Sequence, residues 1–127
     1  MVRGIRGAIT VTNNEEKEIL TATEQLLKEV IEKNQIDPNL VAHVIITVTE
    51  DIDAMFPAKA LRSFPAWRYV PVMCSREIPV PNSLPKCIRL MLTVNTDVAQ
   101  NEINHIYLRE AVHLRPDLQL TDSHKQV

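Results

Sequence analysis

A chain of 127 residues with no low-complexity break is about the usual size for one domain and can bury a real core. Its formal charge of -2 and the lack of any dense Lys/Arg run leave no phosphate-backbone footprint, which argues against a nucleic-acid partner. No apolar stretch nears the roughly 18 residues of a membrane span, the N-terminus lacks a signal peptide's apolar region, and Cys74 and Cys87 show neither CxxC nor Cys/His spacing. The expectation is a soluble cytosolic protein, one domain over residues 1–127, with free thiols and no metal.

Val2 to Val11 alternates as a strand does, with Ile5, Ile9 and Val11 on one face and Arg6, Ala8 and Thr10 on the other. It carries Gly4 and Gly7, the only two glycines in the chain. Glycine inside a strand marks a bulge, a close approach by a ligand or backbone, or plain packing against a neighbour. Asn13 or Asn14 can cap the next segment, and Glu15 and Glu16 complement a helix dipole in its first turn. Ile19, Leu20, Leu26, Leu27, Val30 and Ile31 then form one apolar stripe at helical spacing, while Glu24/Lys28 and Glu29/Lys33 can pair on the wet side. This long helix is expected to cover a sheet.

Asp37-Pro38 opens a turn, and Val41 to Val48 reads as an interior strand. The acidic loop Glu50-Asp51-Ile52-Asp53 lacks the further ligands of a metal site, so a solvated loop is expected. Pro57 starts and Pro65 stops a two-turn helix across residues 56–64, which sets Lys59 and Arg62 on one face. That pair can be a solvated basic face or can receive an anion. Residues 67–74 read as a third strand, with Pro71 arguing for an edge or a bulge. Cys74 and Glu77 have opposite strand parity, so the chain must bend between them if both serve one pocket. Pro79, Pro81 and Pro85 end regular structure.

Lys86 to Val94 is an apolar run with an arginine in its middle. Ile88, Leu90, Leu92 and Val94 share one face, and Cys87, Arg89, Met91 and Thr93 the other. A guanidinium left dry and unpaired among such neighbours costs several kcal/mol, roughly. Either a structural carboxylate or an anionic or electron-rich ligand must meet Arg89. Next come a turn and cap at Asn95-Thr96-Asp97, a short helix over 98–103, a last strand over 105–108, and a helical turn over 109–114 closed by Pro116. Residues 117–127 are polar and terminal, and a mobile tail is expected.

There is no GxSxG elbow, P-loop or dinucleotide fingerprint, the four histidines lack zinc-ligand spacing, and Cys74 has no identifiable base. What remains is arginines near apolar strands, with Glu77 and Tyr107. That set suits binding a small polyanion by charge-assisted hydrogen bonds.

Arg3-Gly4-Ile5-Arg6-Gly7-Ala8, Phe56-Pro57-Ala58-Lys59-Ala60, Lys86-Cys87-Ile88-Arg89 and Leu114-Arg115-Pro116-Asp117-Leu118 resemble, in order and spacing, the monofunctional AroH-type chorismate mutases. The resemblance spans nearly the whole chain and departs at Asn82-Ser83-Leu84-Pro85, which replaces a glycine-containing loop. It implies an α+β fold, a mixed β-sheet with one long covering helix, in a trimeric pseudo-α/β-barrel with active sites at subunit interfaces. It also implies rearrangement of chorismate to prephenate for phenylalanine and tyrosine synthesis, with no metal or coenzyme. In that family Arg89 corresponds to the donor to the ether oxygen, with Glu77 near it as counter-charge. Arg6 and Tyr107 correspond to carboxylate ligands, and Glu77 and the Cys74 region to partners of the ring and its hydroxyl. Phe56, Ala58, Val72 and Leu114 correspond to pocket walls, and Lys59, Arg62 and Arg115 to the mouth. One rival is a non-catalytic oligomeric module for a small carboxylate metabolite on the same fold, since fold does not fix function. Another is a Cys74-dependent enzyme.

Overall fold

The alternation of the N-terminal segment becomes strand β1 (Val2–Thr10) in the structure, a computed structural model that describes residues 1–114. Four more strands join it: β2 (Val41–Val48), β3 (Val72–Arg76), β4 (Cys87–Asn95) and β5 (Ile106–Tyr107). Their order across the sheet is β3-β2-β4-β1-β5. Strand β4 pairs antiparallel with both β1 and β2, whereas β3 and β5 lie parallel to β2 and β1 at the two edges. The sheet is therefore mixed.

Helix α1 (Glu16–Asn34) covers one face of it, which makes the fold α+β. The expected stripe is the one that is buried: Ile19, Leu26, Leu27 and Val30 enter a core with Ile5, Ile9, Val44, Ile46, Ile88, Leu90 and Leu92. Leu20 and Ile31 pack at its margin. Gly7 has a packing role, because a Cβ there would lie 3.1 Å from both Leu26 Cδ1 and Val30 Cγ2. The helix sits too close to β1 for a side chain.

The second face carries Arg6, Ala8, Ile45, Thr47, Met73, Arg89 and Met91, in agreement with the β4 alternation read from sequence. Ile45, Met73 and Met91 are exposed there.

Local details depart from the sequence reading where proline and tertiary contacts decide. Neither Asn13 nor Asn14 caps α1: Glu15 holds the cap position without a side-chain bond, while Asn14 bonds Asp53 and the backbone N–H groups of Asp53 and Ala54. The Glu18 carboxylate instead accepts from the backbone of Thr12 and Asn13, and the Thr12 bond foremost holds its pKa below the ordinary value. The helix begun by Pro57 is a 3-10 helix, Pro57–Ser63. The segment from Trp67 does not begin a strand. Trp67 is buried at the end of a short 3-10 turn (Pro65–Trp67), and the strand starts only after Pro71, whose carbonyl accepts from Val44 N. β3 is an edge strand, as Pro71 argued. The expected helix over 98–103 shrinks to the 3-10 turn Gln100–Glu102, and the last strand to Ile106–Tyr107. No helix among the described residues is long and apolar enough to cross a membrane.

Candidate active site

Arg89 projects from the middle of β4, flanked across the sheet by Ala8 on β1 and Thr47 on β2. Ala8 is small, and it leaves space above the sheet beside the guanidinium. The resulting cleft, of about 290 Å³, is lined by Arg6, Ala8, Thr47, Glu77, Arg89 and Tyr107, with Leu114 among its other walls. Glu77 reaches it from just beyond β3, where its N–H donates to Val48 O at 2.8 Å. Its Oε2 accepts from the Thr47 hydroxyl and lies 3.8 Å from Arg89 Nε.

That separation is within ion-pair range and beyond a hydrogen bond. Among the described residues, the buried Arg89 Nε and the buried Tyr107 hydroxyl have no hydrogen-bond partner. Buried polar groups in native folds are satisfied almost everywhere, so two such donors in one cleft beside a second arginine mark a place built for an acceptor.

Three local devices position this cleft. The N–H of Arg6 donates to His105 Nδ1 at 3.0 Å, which ties β1 to the segment before β5. Arg109, in a left-handed conformation (φ 55°), donates from Nη1 to Thr10 O, and Glu110 N donates to Thr10 Oγ1. These bonds draw the C-terminal segment across β1, so that Ala111, Tyr107 and Leu114 pack with Ala8 and Cys87. At the start of β4, Asp51 accepts from Lys86 N through both carboxylate oxygens and from the Thr49 hydroxyl, while Thr49 Oγ1 accepts from Cys87 N. The acidic loop expected to be merely solvated is thus a clamp on the strand that carries Arg89. Among the described residues no group of three or more His, Cys, Asp or Glu is placed to hold a metal ion.

The remaining site candidates lie elsewhere in the chain. Phe56, Ala58, Lys59, Arg62 and Val72 line a second cleft of about 620 Å³, together with Arg68. Cys74 pairs with Ile46, on the face opposite Arg89, and lies near Phe56 and Lys59. The two clefts share no lining residue. Arg115 and the tail fall outside the described residues. Sequence reading missed Thr47, because a threonine in a strand is ordinary and only the β2/β4 register puts it beside Arg89.

The chain matches the family "Chorismate mutase type I" over residues 2–118. It belongs to the type I chorismate mutase family. It is 52% identical to chorismate mutase AroH of Bacillus subtilis over 121 residues, 95% of each chain. To the AroH of Thermus thermophilus it is 51% identical over 120 residues, covering 94% of this chain and 98% of the relative. The fold also matches the solved structure of a chorismate mutase from Clostridium thermocellum, with a TM-score of 0.82 and 48% identity over 85% of this chain and 96% of that one. Each of these chorismate mutases is named for a catalytic activity, and none supports the rival reading as a non-catalytic module.

Proposed function

We propose that this chorismate mutase converts chorismate to prephenate without covalent catalysis, at a site formed by the Arg89 cleft of one subunit and the Phe56–Arg62 cleft of a neighbour in a homotrimer. The observation that carries the reading is the buried, hydrogen-bond-free Arg89 Nε beside a carboxylate held 3.8 Å away. In the rearrangement the ether C–O bond breaks as a C–C bond forms, and negative charge grows on the ether oxygen. A rigid guanidinium aimed at that oxygen lowers the barrier, since one preorganised donor of this kind is worth about 3 to 4 kcal/mol. Arg6 and Tyr107 hold a substrate carboxylate and so favour the compact conformer that reacts. Glu77 faces the ring and its hydroxyl.

From the neighbour come the walls Phe56, Ala58 and Val72, the ring partner Cys74, and Lys59 and Arg62 at the mouth; Leu114 is a wall on the Arg89 side. A shared site accounts for why the residues that resemble one family's pocket occupy two clefts in one chain. The exposed Ile45, Met73 and Met91 on the sheet's second face supply apolar surface for such an assembly. The setting is aromatic amino-acid biosynthesis in the cytosol. Following the loss of chorismate's ultraviolet absorbance with purified protein should give a rate well above the uncatalysed one, and an unchanged rate would overturn the proposal.

A further inference from the structure

Glu77 is held from two directions. Its backbone N–H is fixed to Val48 O, and its Oε2 accepts the hydroxyl of Thr47, the residue directly opposite Arg89 in the β2/β4 register. A guanidinium and a carboxylate left to themselves close to about 2.7–2.9 Å. Here they stand 3.8 Å apart at Nε, and no hydrogen bond forms although Nε is buried.

We propose that Thr47 is a positioning residue for the mutase reaction: its hydroxyl binds Glu77 Oε2 and keeps that carboxylate from closing onto Arg89. The guanidinium then retains the charge balance that Glu77 provides while its donors remain available to the substrate. Each carboxylate oxygen offers about two acceptor sites, and Thr47 takes one of them on the oxygen nearest Arg89. The branched Cβ of threonine restricts χ1, which aims the hydroxyl before any ligand arrives. Loss of the hydroxyl frees Oε2 to pair with Arg89 Nε and so occupies the donor that the transition state needs. This inference rests on the assignment of Arg89 given above.

The test compares Thr47→Val, which keeps the shape and loses the hydroxyl, with Thr47→Ser, which keeps the hydroxyl. Thr47→Val should lower kcat about tenfold or more, the scale of a lost hydrogen bond to a charged group, with KM changed much less. Thr47→Ser should recover most of that loss. In a Glu77→Gln background, Thr47→Val should add little, because the carboxylate it restrains has gone. Normal kcat in Thr47→Val, equal impairment in Thr47→Ser, or independent effects of the Thr47 and Glu77 changes would each overturn the proposal. Should Thr47→Val fold poorly by circular dichroism, Thr47→Ala serves as the hydroxyl-free variant under the same criteria. Arg89→Lys separates the two levels. If it keeps normal turnover, the Arg89 assignment fails and this inference with it; if it loses turnover while Thr47→Val does not, this inference alone fails.

Discussion

Arg89 is a cation on a strand whose other face is core, and its value depends on direction more than on charge. Lysine keeps the charge but offers a flexible ammonium in place of a planar fork, so Arg89→Lys should lower kcat by about two or more powers of ten. Steady-state kinetics beside a thermal melt checks this, and near-normal turnover in a folded variant would remove Arg89 from its proposed role. Two residues earlier on the same face, Cys87 is fully buried, and burial pushes its thiol pKa up from an ordinary value of 9.0, with the Arg89 charge opposing. A raised folded-state pKa means that the unfolded chain loses this proton first as pH rises. The thiol's contribution to stability is thus intact below that ordinary value and declines as pH climbs past it toward the folded value. The urea midpoint of the wild type should fall relative to Cys87→Ala above about pH 9, and a pH-independent difference would contradict the assignment. Arg89 was legible in the sequence because strand parity is local. Thr47 was not, because its place beside Arg89 comes from a register between strands far apart in the chain.

Among the elements, α1 and β1 meet closely enough to make Gly7 a packing requirement. An added Cβ would meet Leu26 Cδ1, which can turn aside, and Val30 Cγ2, which belongs to a stiff β-branched side chain, both at 3.1 Å. Gly7→Ala should therefore destabilise the fold by about 1–3 kcal/mol, as overpacking does. Gly4→Ala meets only the pliable thioether of Met91 at 3.3 Å and should cost clearly less. Urea unfolding of the two variants decides, and equal stabilities would show that the helix has room to withdraw. The same contrast explains what could be read in advance. Helix α1 and strand β4 are long and periodic, so their buried faces follow from spacing alone. Residues 65–76 hold prolines and a buried tryptophan in consecutive turns, and their boundaries depend on bonds to β2 that no local pattern records.

At the scale of the whole molecule, the described candidate site residues are divided between separate clefts rather than gathered in one, and this sets the decisive test of assembly. Parity had already put Cys74 out of step with Glu77; the sheet turns that mismatch into opposite faces, with Cys74 on the helix side and Arg89 on the other. Sequence could not say that a single chain leaves the two sets apart, since this depends on how β3 joins the sheet and where the turn after Phe56 lands. If each active site takes its Arg89 cleft from one subunit and its Lys59/Arg62 mouth from the next, a variant lacking either half is inactive alone yet can complement the other. Arg89→Ala and the double variant Lys59→Ala/Arg62→Ala should each show little turnover. Co-expressed in equal amounts, they should recover activity at about a quarter of the sites in a randomly mixed cyclic trimer. Purifying the mixed trimers through two different tags removes the inactive homotrimers and should raise the share of complete sites to about one in three, and assaying chorismate consumption distinguishes the cases. Activity no greater than that of the separate variants would mean that both halves must come from one chain, and a monomer by light scattering at working concentration would remove the shared site altogether.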